Sequence, residues 1–172
     1  IHCFVMRNAR YIVIKKLFDA GQGGVLKITG GSGAGKTRLL RDLKYTASLN
    51  GMHVLDLWRN DEKETQFFIS QLGGMLSSSS GKFTVVVIDD FDGLCGDAAA
   101  CPLIDMIRIA INKSSPQLLF VLASRESLKE WAGAEMKLGN FSRDEIREYV
   151  SSLAGPPEDV MEFIVDETLK KT

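Results

Sequence analysis

Apolar positions recur along the chain in short, dense runs separated by longer stretches of mixed polarity. Four of these runs stand out: VLKIT (25–29), HVLDL (53–57), TVVVID (84–89) and QLLFVLAS (117–124). A fifth, weaker run is AEMKLGN (134–140). Segments such as VVVI, apolar at consecutive positions, suit strands covered by helices on both faces, the habit of a parallel sheet. The intervening TRLLRDLKYTASLN and PLIDMIRIAINK have helical character. This alternation predicts a doubly wound α/β domain with a five-stranded parallel sheet. No internal repeat interrupts it.

Turn residues fall where such a fold needs them. Gly51 sits where the first long helix should end, SSSSG (77–81) makes a connector into the third strand, and SSPQ (114–117) leads into the fourth. From Ser142 the texture changes to two helical stretches separated by Gly155, Pro156 and Pro157, with no strand pattern. Ser142 and Glu145 have the spacing of a capping box, in which the serine oxygen accepts the third-residue amide and the glutamate reaches back. The expected division is therefore an α/β domain over 1–141 and a helical appendage over 142–172.

Composition narrows the class without naming it. The 172 residues are 45% hydrophobic and 25% charged, as in a globular domain, and the formal net charge is -1. No global basic field steers the chain to nucleic acid or to an anionic membrane. No apolar run approaches the roughly 18–20 residues that span a bilayer, and the opening IHCFVMRNAR lacks the apolar core of a signal peptide, so a cytoplasmic location is the default expectation. Cys3, Cys95 and Cys101 form no CxxC pair, and His2 and His53 offer no metal-ligand spacing, which reads as incidental thiols in a reducing compartment. A start at Ile1 and a stop inside the helical pattern of ETLKKT suggest a piece of a longer protein.

The stretch from Gly30 to Thr37, GGSGAGKT, fits G-x-x-x-x-G-K-[ST], with a predicted strand before it and a predicted helix after it. A phosphate chain needs backbone N–H groups pointing inward, which demands unusual dihedrals and little side-chain bulk. Gly30, Gly31, Gly33 and Gly35 suit that need, with Ser32 and Ala34 between them. The helix beginning near Lys36 adds its N-terminal dipole, worth about 0.3–2 kcal/mol toward an anion. Lys36 would reach the β- and γ-phosphates, and the Thr37 hydroxyl would ligate Mg²⁺.

A second group of candidates stands at the ends of the third and fourth strands, the edge where open α/β sheets bind ligands. Asp89 is expected to hold Mg²⁺ and Asp90 to polarise the attacking water. Ser124 and Arg125 follow the fourth strand, and Arg125 is placed to sense a γ-phosphate. Asp90-Phe91-Asp92-Gly93 spells the D-x-x-G of GTPases and Asn112-Lys113 opens an N-K pair. However, Ser115 stands where a guanine-reading aspartate would be needed, and the pair falls at a helix end, which argues against guanine specificity. A small-molecule kinase stays open, because a phosphate loop does not choose its acceptor.

Taken in order, these motifs resemble the AAA+-like signal-transduction ATPases with numerous domains, which include the NACHT and NB-ARC classes. FVMRNARYIVIKKLF is similar to that family's opening F-V-G-R-E segment, GGSGAGKTRLL to its Walker A, and VVVIDDFD to its Walker B with paired aspartates. FVLASRES resembles its arginine-bearing sensor strand, and MKLGNFSRDEIREYV its entry into a helical lid. The resemblance implies strand order 5-1-4-3-2, ATP and ADP as ligands with Mg²⁺, and a lid whose position follows nucleotide state. It places Val5 and Met6 near the adenine, Arg7 near the nucleotide or lid, and Arg38 in the T-R-L-L continuation of the phosphate loop. Met6 departs from the family's glycine.

The leading expectation is an ATP-binding, slowly hydrolysing regulatory switch of a larger signalling protein, which self-oligomerises in its ATP form and answers an unidentified protein or ligand trigger. The alternatives are a DNA-associated AAA+ ATPase of the origin-recognition type, or a nucleotide-binding module without turnover. A tail in which acidic residues outnumber basic ones gives no indication of nucleic acid. Arg108, on the helix before the fourth strand, is a candidate to act on a neighbouring subunit's nucleotide, set against the plainer reading of a solvated helix face. FDGLCGDAAACP is either a partner-binding insertion or a connector.

Overall fold

A computed structural model of the chain describes residues 23–58, 62–77, 82–113, 117–139, 142–144, 146–147 and 158–169. Its strands are β1 (Gly24–Thr29), β2 (His53–Leu57), β3 (Thr84–Ile88), β4 (Leu118–Ser124) and β5 (Ala134–Lys137). The helices are α1 (Lys36–Leu49), α2 (Glu62–Ser77), α3 (Phe91–Gly96), α4 (Cys101–Asn112) and α5 (Glu158–Leu169), with a 3-10 turn at Ala98–Ala100. All five strands belong to one sheet in the order β2-β3-β4-β1-β5, and every pairing is parallel. Read from the other edge this is 5-1-4-3-2, the expected order.

The period-2 geometry of a strand explains why runs without polar alternation were needed. Val86 and Ile88 of β3 point into one core with Phe68 and Leu72 of α2, Phe91 and Leu94 of α3, and Leu103 and Ile107 of α4. Val85 and Val87 point the other way, into a second core with Leu40, Leu43 and Ala47 of α1. Phe120 and Leu122 of β4 join the first core, while Leu119 and Val121 join the second. Each fully buried side chain of this kind contributes about 1.5–3 kcal/mol relative to exposure. The two cores together fix register, since a slip by one residue would exchange every contact.

Gly51 closes α1 as its position predicted. Its φ is +70°, its N–H donates to the Ser48 carbonyl at 3.0 Å, and the Met52 N–H donates to the Ala47 carbonyl at 3.1 Å. This pair of bonds is the Schellman arrangement, which satisfies carbonyls the helix leaves open. The segment FDGLCGDAAACP forms α3, the 3-10 turn and the first two residues of α4, anchored by buried Phe91, Leu94 and Ala100. Ordered edge pairing in β5 stops at Lys137, short of the expected Asn140, although the Leu138 N–H still donates to the Thr29 carbonyl at 2.7 Å.

In the tail, Ile146, Met161 and Val165 form a small apolar cluster of their own. Arg143 pairs with Glu162 and Asp166, and Arg147 pairs with Glu158 and Glu162. The Ile146 N–H donates to the Ser142 carbonyl at 3.0 Å. Glu145, the other half of the expected capping box, lies outside the described residues, as do Val5, Met6 and Arg7 and the Gly155-Pro156-Pro157 separator. Among the described residues no helix is long and apolar enough to cross a membrane.

Candidate functional site

The C-terminal ends of β1, β3 and β4 lie side by side, so parallel pairing brings residues 29–37, 88–92 and 124–125 to one edge of the sheet. The loop between β1 and α1 begins with Gly30, whose N–H donates to the Ser124 carbonyl at 3.2 Å and so ties it to the end of β4. A Cβ at Gly30 would stand 2.5 Å from the Leu138 carbonyl oxygen. Gly30 therefore answers a packing demand whatever else the loop does. Gly33 and Gly35 have φ of +77° and +88°, the left-handed region that side chains disfavour. A Cβ at Gly31 would meet nothing within 4 Å, and Ser32 is exposed. Ala34 is buried against the core under α1.

Lys36 turns back into this loop. Its Nζ donates to the Gly30 carbonyl at 2.6 Å and the Gly31 carbonyl at 2.9 Å, so the ammonium is folded back onto the start of the loop. No side chain caps the N-terminus of α1 and no acidic residue occupies its first turn. The first amides and the helix dipole thus remain available to an anion. Arg38 points elsewhere, pairing with Asp42 one turn on at 3.2 Å.

The Thr37 hydroxyl donates to Asp89 Oδ2 at 2.6 Å. Asp89 Oδ1 accepts the Asp90 N–H at 3.0 Å, which fixes the carboxylate plane. Asp90 itself has φ 51° and ψ 43°, a left-handed conformation that aspartate tolerates better than most residues. Its exposed side chain lies 3.4 Å from Arg125 Nη2. Ser124 is fully buried, and its hydroxyl is used locally: it donates to the Glu126 carbonyl at 2.7 Å and accepts the Glu126 N–H at 3.1 Å.

Asp92 was weighed in the sequence only as part of a D-x-x-G, yet it holds Arg125 most firmly. The Arg125 backbone N–H donates to Oδ1 at 3.1 Å and its Nε–H to Oδ2 at 3.0 Å. Burial pushes the Asp92 carboxyl up, but the bonds from the Arg125 amide and guanidinium outweigh it and hold the group below its ordinary value. The same contact, with help from Asp90, raises Arg125. The available signal was the third aspartate of D-D-x-D, one helical step beyond the strand. Nearby, the Thr29 hydroxyl donates to Glu135 at 3.0 Å and holds that carboxyl below its ordinary value.

Two further sequence candidates make contacts of other kinds. Arg108 lies over the Trp131 ring, 5.5 Å from its centroid, and 3.9 Å from Asp105. The intrachain stack gives it a packing role. Asn112 closes α4 and Lys113 caps it, so the N-K pair is at a helix end, as the case against guanine specificity requires.

The fold is that of the AAA+ P-loop NTPases: a five-stranded parallel sheet between helical layers, with a glycine loop leading from the first strand into a helix. Over 98% of its length the chain superposes on the replication initiator DnaA bound to AMPPCP and single-stranded DNA, with a TM-score of 0.68 and 15% identity. It also superposes on Drosophila ORC bound to DNA over 93% of its length, with a TM-score of 0.62 and 16% identity. In sequence it is 31% identical over 94 residues to the replication factor C large subunit of Methanococcus aeolicus, a match covering 54% of this chain. The chain spans 19% of that relative, 61% of the DnaA chain and 48% of the ORC chain. No family model matches the chain.

The residues present suit a Mg²⁺-nucleotide. Among the described residues no group of three or more His, Cys, Asp or Glu could hold a metal by itself. Thr37 and Asp89 supply two hard oxygens 2.6 Å apart. That is the sparse donor set Mg²⁺ accepts when phosphate oxygens and water complete its octahedron.

Proposed function

We propose that this chain is the ATP-binding and ATP-hydrolysing part of a larger AAA+-type ATPase. The observation that carries the reading is the juxtaposition of Lys36, turned into a loop with left-handed Gly33 and Gly35, with the Thr37–Asp89 bond. Lys36 would exchange the Gly30 and Gly31 carbonyls for phosphate oxygens, and the uncapped start of α1 would add its amides. Thr37 and Asp89 would hold Mg²⁺, which supplies charge to the phosphoryl oxygens when bound. Asp90 would orient water, and Arg125 would stabilise charge on the outermost phosphate.

The test is ATP affinity and turnover in the full-length protein and its Lys36→Ala variant. Equal binding in both would sink the reading. Asp90→Asn should slow hydrolysis while sparing binding, because Asp89 and Thr37 remain.

Between the two finer readings, the relatives favour the DNA-associated one. DnaA and ORC were both solved with DNA, and the sequence relative is a replication factor. They lend no support to a signalling switch, and they supply the pointer to nucleic acid that the sequence does not give. The tail's own arginines are matched to acidic partners, so DNA contact would fall to other surfaces. Salt-dependent DNA binding by the full-length protein, strengthened by ATP, is the expected result. ATP-driven assembly without DNA affinity would return the switch to first place.

A further inference from the structure

Arg125 leaves β4 beside two carboxylates of unequal grip. Asp92 accepts from it twice, through the backbone N–H at 3.1 Å and Nε–H at 3.0 Å. Asp90 meets the same guanidinium at one terminal nitrogen, 3.4 Å away. The Asp92 side chain is 21% exposed, whereas Asp90 and Arg125 are each 57% exposed. Two bonds to a sheltered carboxylate outlast one long contact between solvated groups.

We propose that Asp92 is a positioning residue that anchors the inner edge of Arg125, leaving its outer edge to exchange between Asp90 and the terminal phosphate of a bound nucleoside triphosphate. The inference rests on the ATP reading above. A guanidinium carries five N–H donors in a rigid fork. With Nε–H given to Asp92, the four terminal hydrogens serve Asp90 or a phosphate. An arriving phosphate displaces the weaker partner, and that partner is Asp90. Its carboxylate is then released for water at the moment a terminal phosphate is in place. Asp90 stands in the left-handed region ahead of α3, and its carboxylate lies over Gly93, where Oδ2 would be 2.5 Å from a Cβ. Only a bare glycine leaves that side of the carboxylate open.

The experiment compares Mg²⁺-ATP with Mg²⁺-ADP affinity, together with single-turnover hydrolysis, in the full-length protein. The variants are Asp92→Asn, Arg125→Ala, their double and Arg125→Lys. Asp92→Asn and Arg125→Ala should each reduce the ATP-over-ADP preference and the turnover rate by about tenfold, the scale of one charged hydrogen bond. ADP affinity should stay within about twofold, and the double variant should lose no more than either single. Arg125→Lys keeps the charge without the fork, so it should behave as Arg125→Ala.

Wild-type ATP preference in Asp92→Asn, alongside its loss in Arg125→Ala, would overturn the anchor while leaving the ATP reading intact. Losses that multiply in the double variant would do the same. Should Asp92→Asn not fold, Arg125→Lys decides, and retained preference there overturns the anchor. A Lys36→Ala protein that binds nucleotide as well as wild type overturns the ATP reading and the anchor together.

Discussion

The Thr37 hydroxyl donates to the Asp89 carboxylate across 2.6 Å, joining the first turn of α1 to the end of β3. The two residues are 52 positions apart in the chain, so only the packing of α1 on the sheet brings them together. If the pair holds Mg²⁺, Thr37→Ala and Asp89→Asn should each remove the Mg²⁺-dependent part of ATP affinity, about tenfold or more. Titration calorimetry with and without a chelator measures it. A variant whose affinity still responds fully to Mg²⁺ contradicts the assignment.

Gly93 offers a way to move one carboxylate without disturbing the core. A methyl group there would press on Asp90 Oδ2 at 2.5 Å, a contact with the far end of a flexible side chain. Alanine is also the better helix former inside α3. Gly93→Ala should therefore leave unfolding free energy within about 1 kcal/mol of wild type while slowing hydrolysis. A large loss of stability together with unchanged turnover would contradict this placement of Asp90.

Lys27 is an ammonium in the middle of β1, only 7% exposed, and its Nζ donates to the Trp131 carbonyl at 2.8 Å and the Leu128 carbonyl at 3.4 Å. It serves the chain that crosses from β4 to β5. Lys27→Met keeps most of the volume but leaves those carbonyls short of a donor, and should cost about 1–3 kcal/mol. Urea unfolding of the two proteins checks it, and an unchanged midpoint would show that water replaces the ammonium.

Asp92 gives a pH signature of fixed sign. Its folded value lies below the ordinary 3.8, because the bonds from Arg125 outweigh the effect of burial. The stabilisation is thus fully present above the ordinary value and disappears as pH falls through the lower folded one. The difference in unfolding free energy between wild type and Asp92→Asn should be flat from neutral pH down to about pH 5 and shrink below about pH 4. A difference that grows on acidification would reverse the assignment.

Much of the scaffold was legible because it rests on local rules. Uninterrupted apolar runs at β3 and β4 require cover on both faces, and the structure supplies it with two separate cores. Gly51, Gly33 and Gly35 sit where a left-handed backbone is needed. Gly30 carries a further constraint that the sequence does not show, because it is distant: the Leu138 carbonyl follows the strand that pairs on the far side of β1. The stack of Arg108 on Trp131 is equally distant in sequence, and neither the solvated-face reading nor the neighbouring-subunit one contains it.

By itself, then, the sequence determined the positions and burial of the strands, the turn that ends α1 and the chemistry available in GGSGAGKT and IDDFD, since all of these depend on neighbours within a few residues. The tertiary structure decided which carboxylate each cation meets. Parallel pairing of β1, β3 and β4 brings positions 37, 89, 92 and 125 to one edge, and the left-handed turn at Asp90 and the first turn of α3 aim Asp92 rather than Asp90 at the root of Arg125. That choice depends on backbone directions set by two packed cores, and no spacing along the chain encodes it.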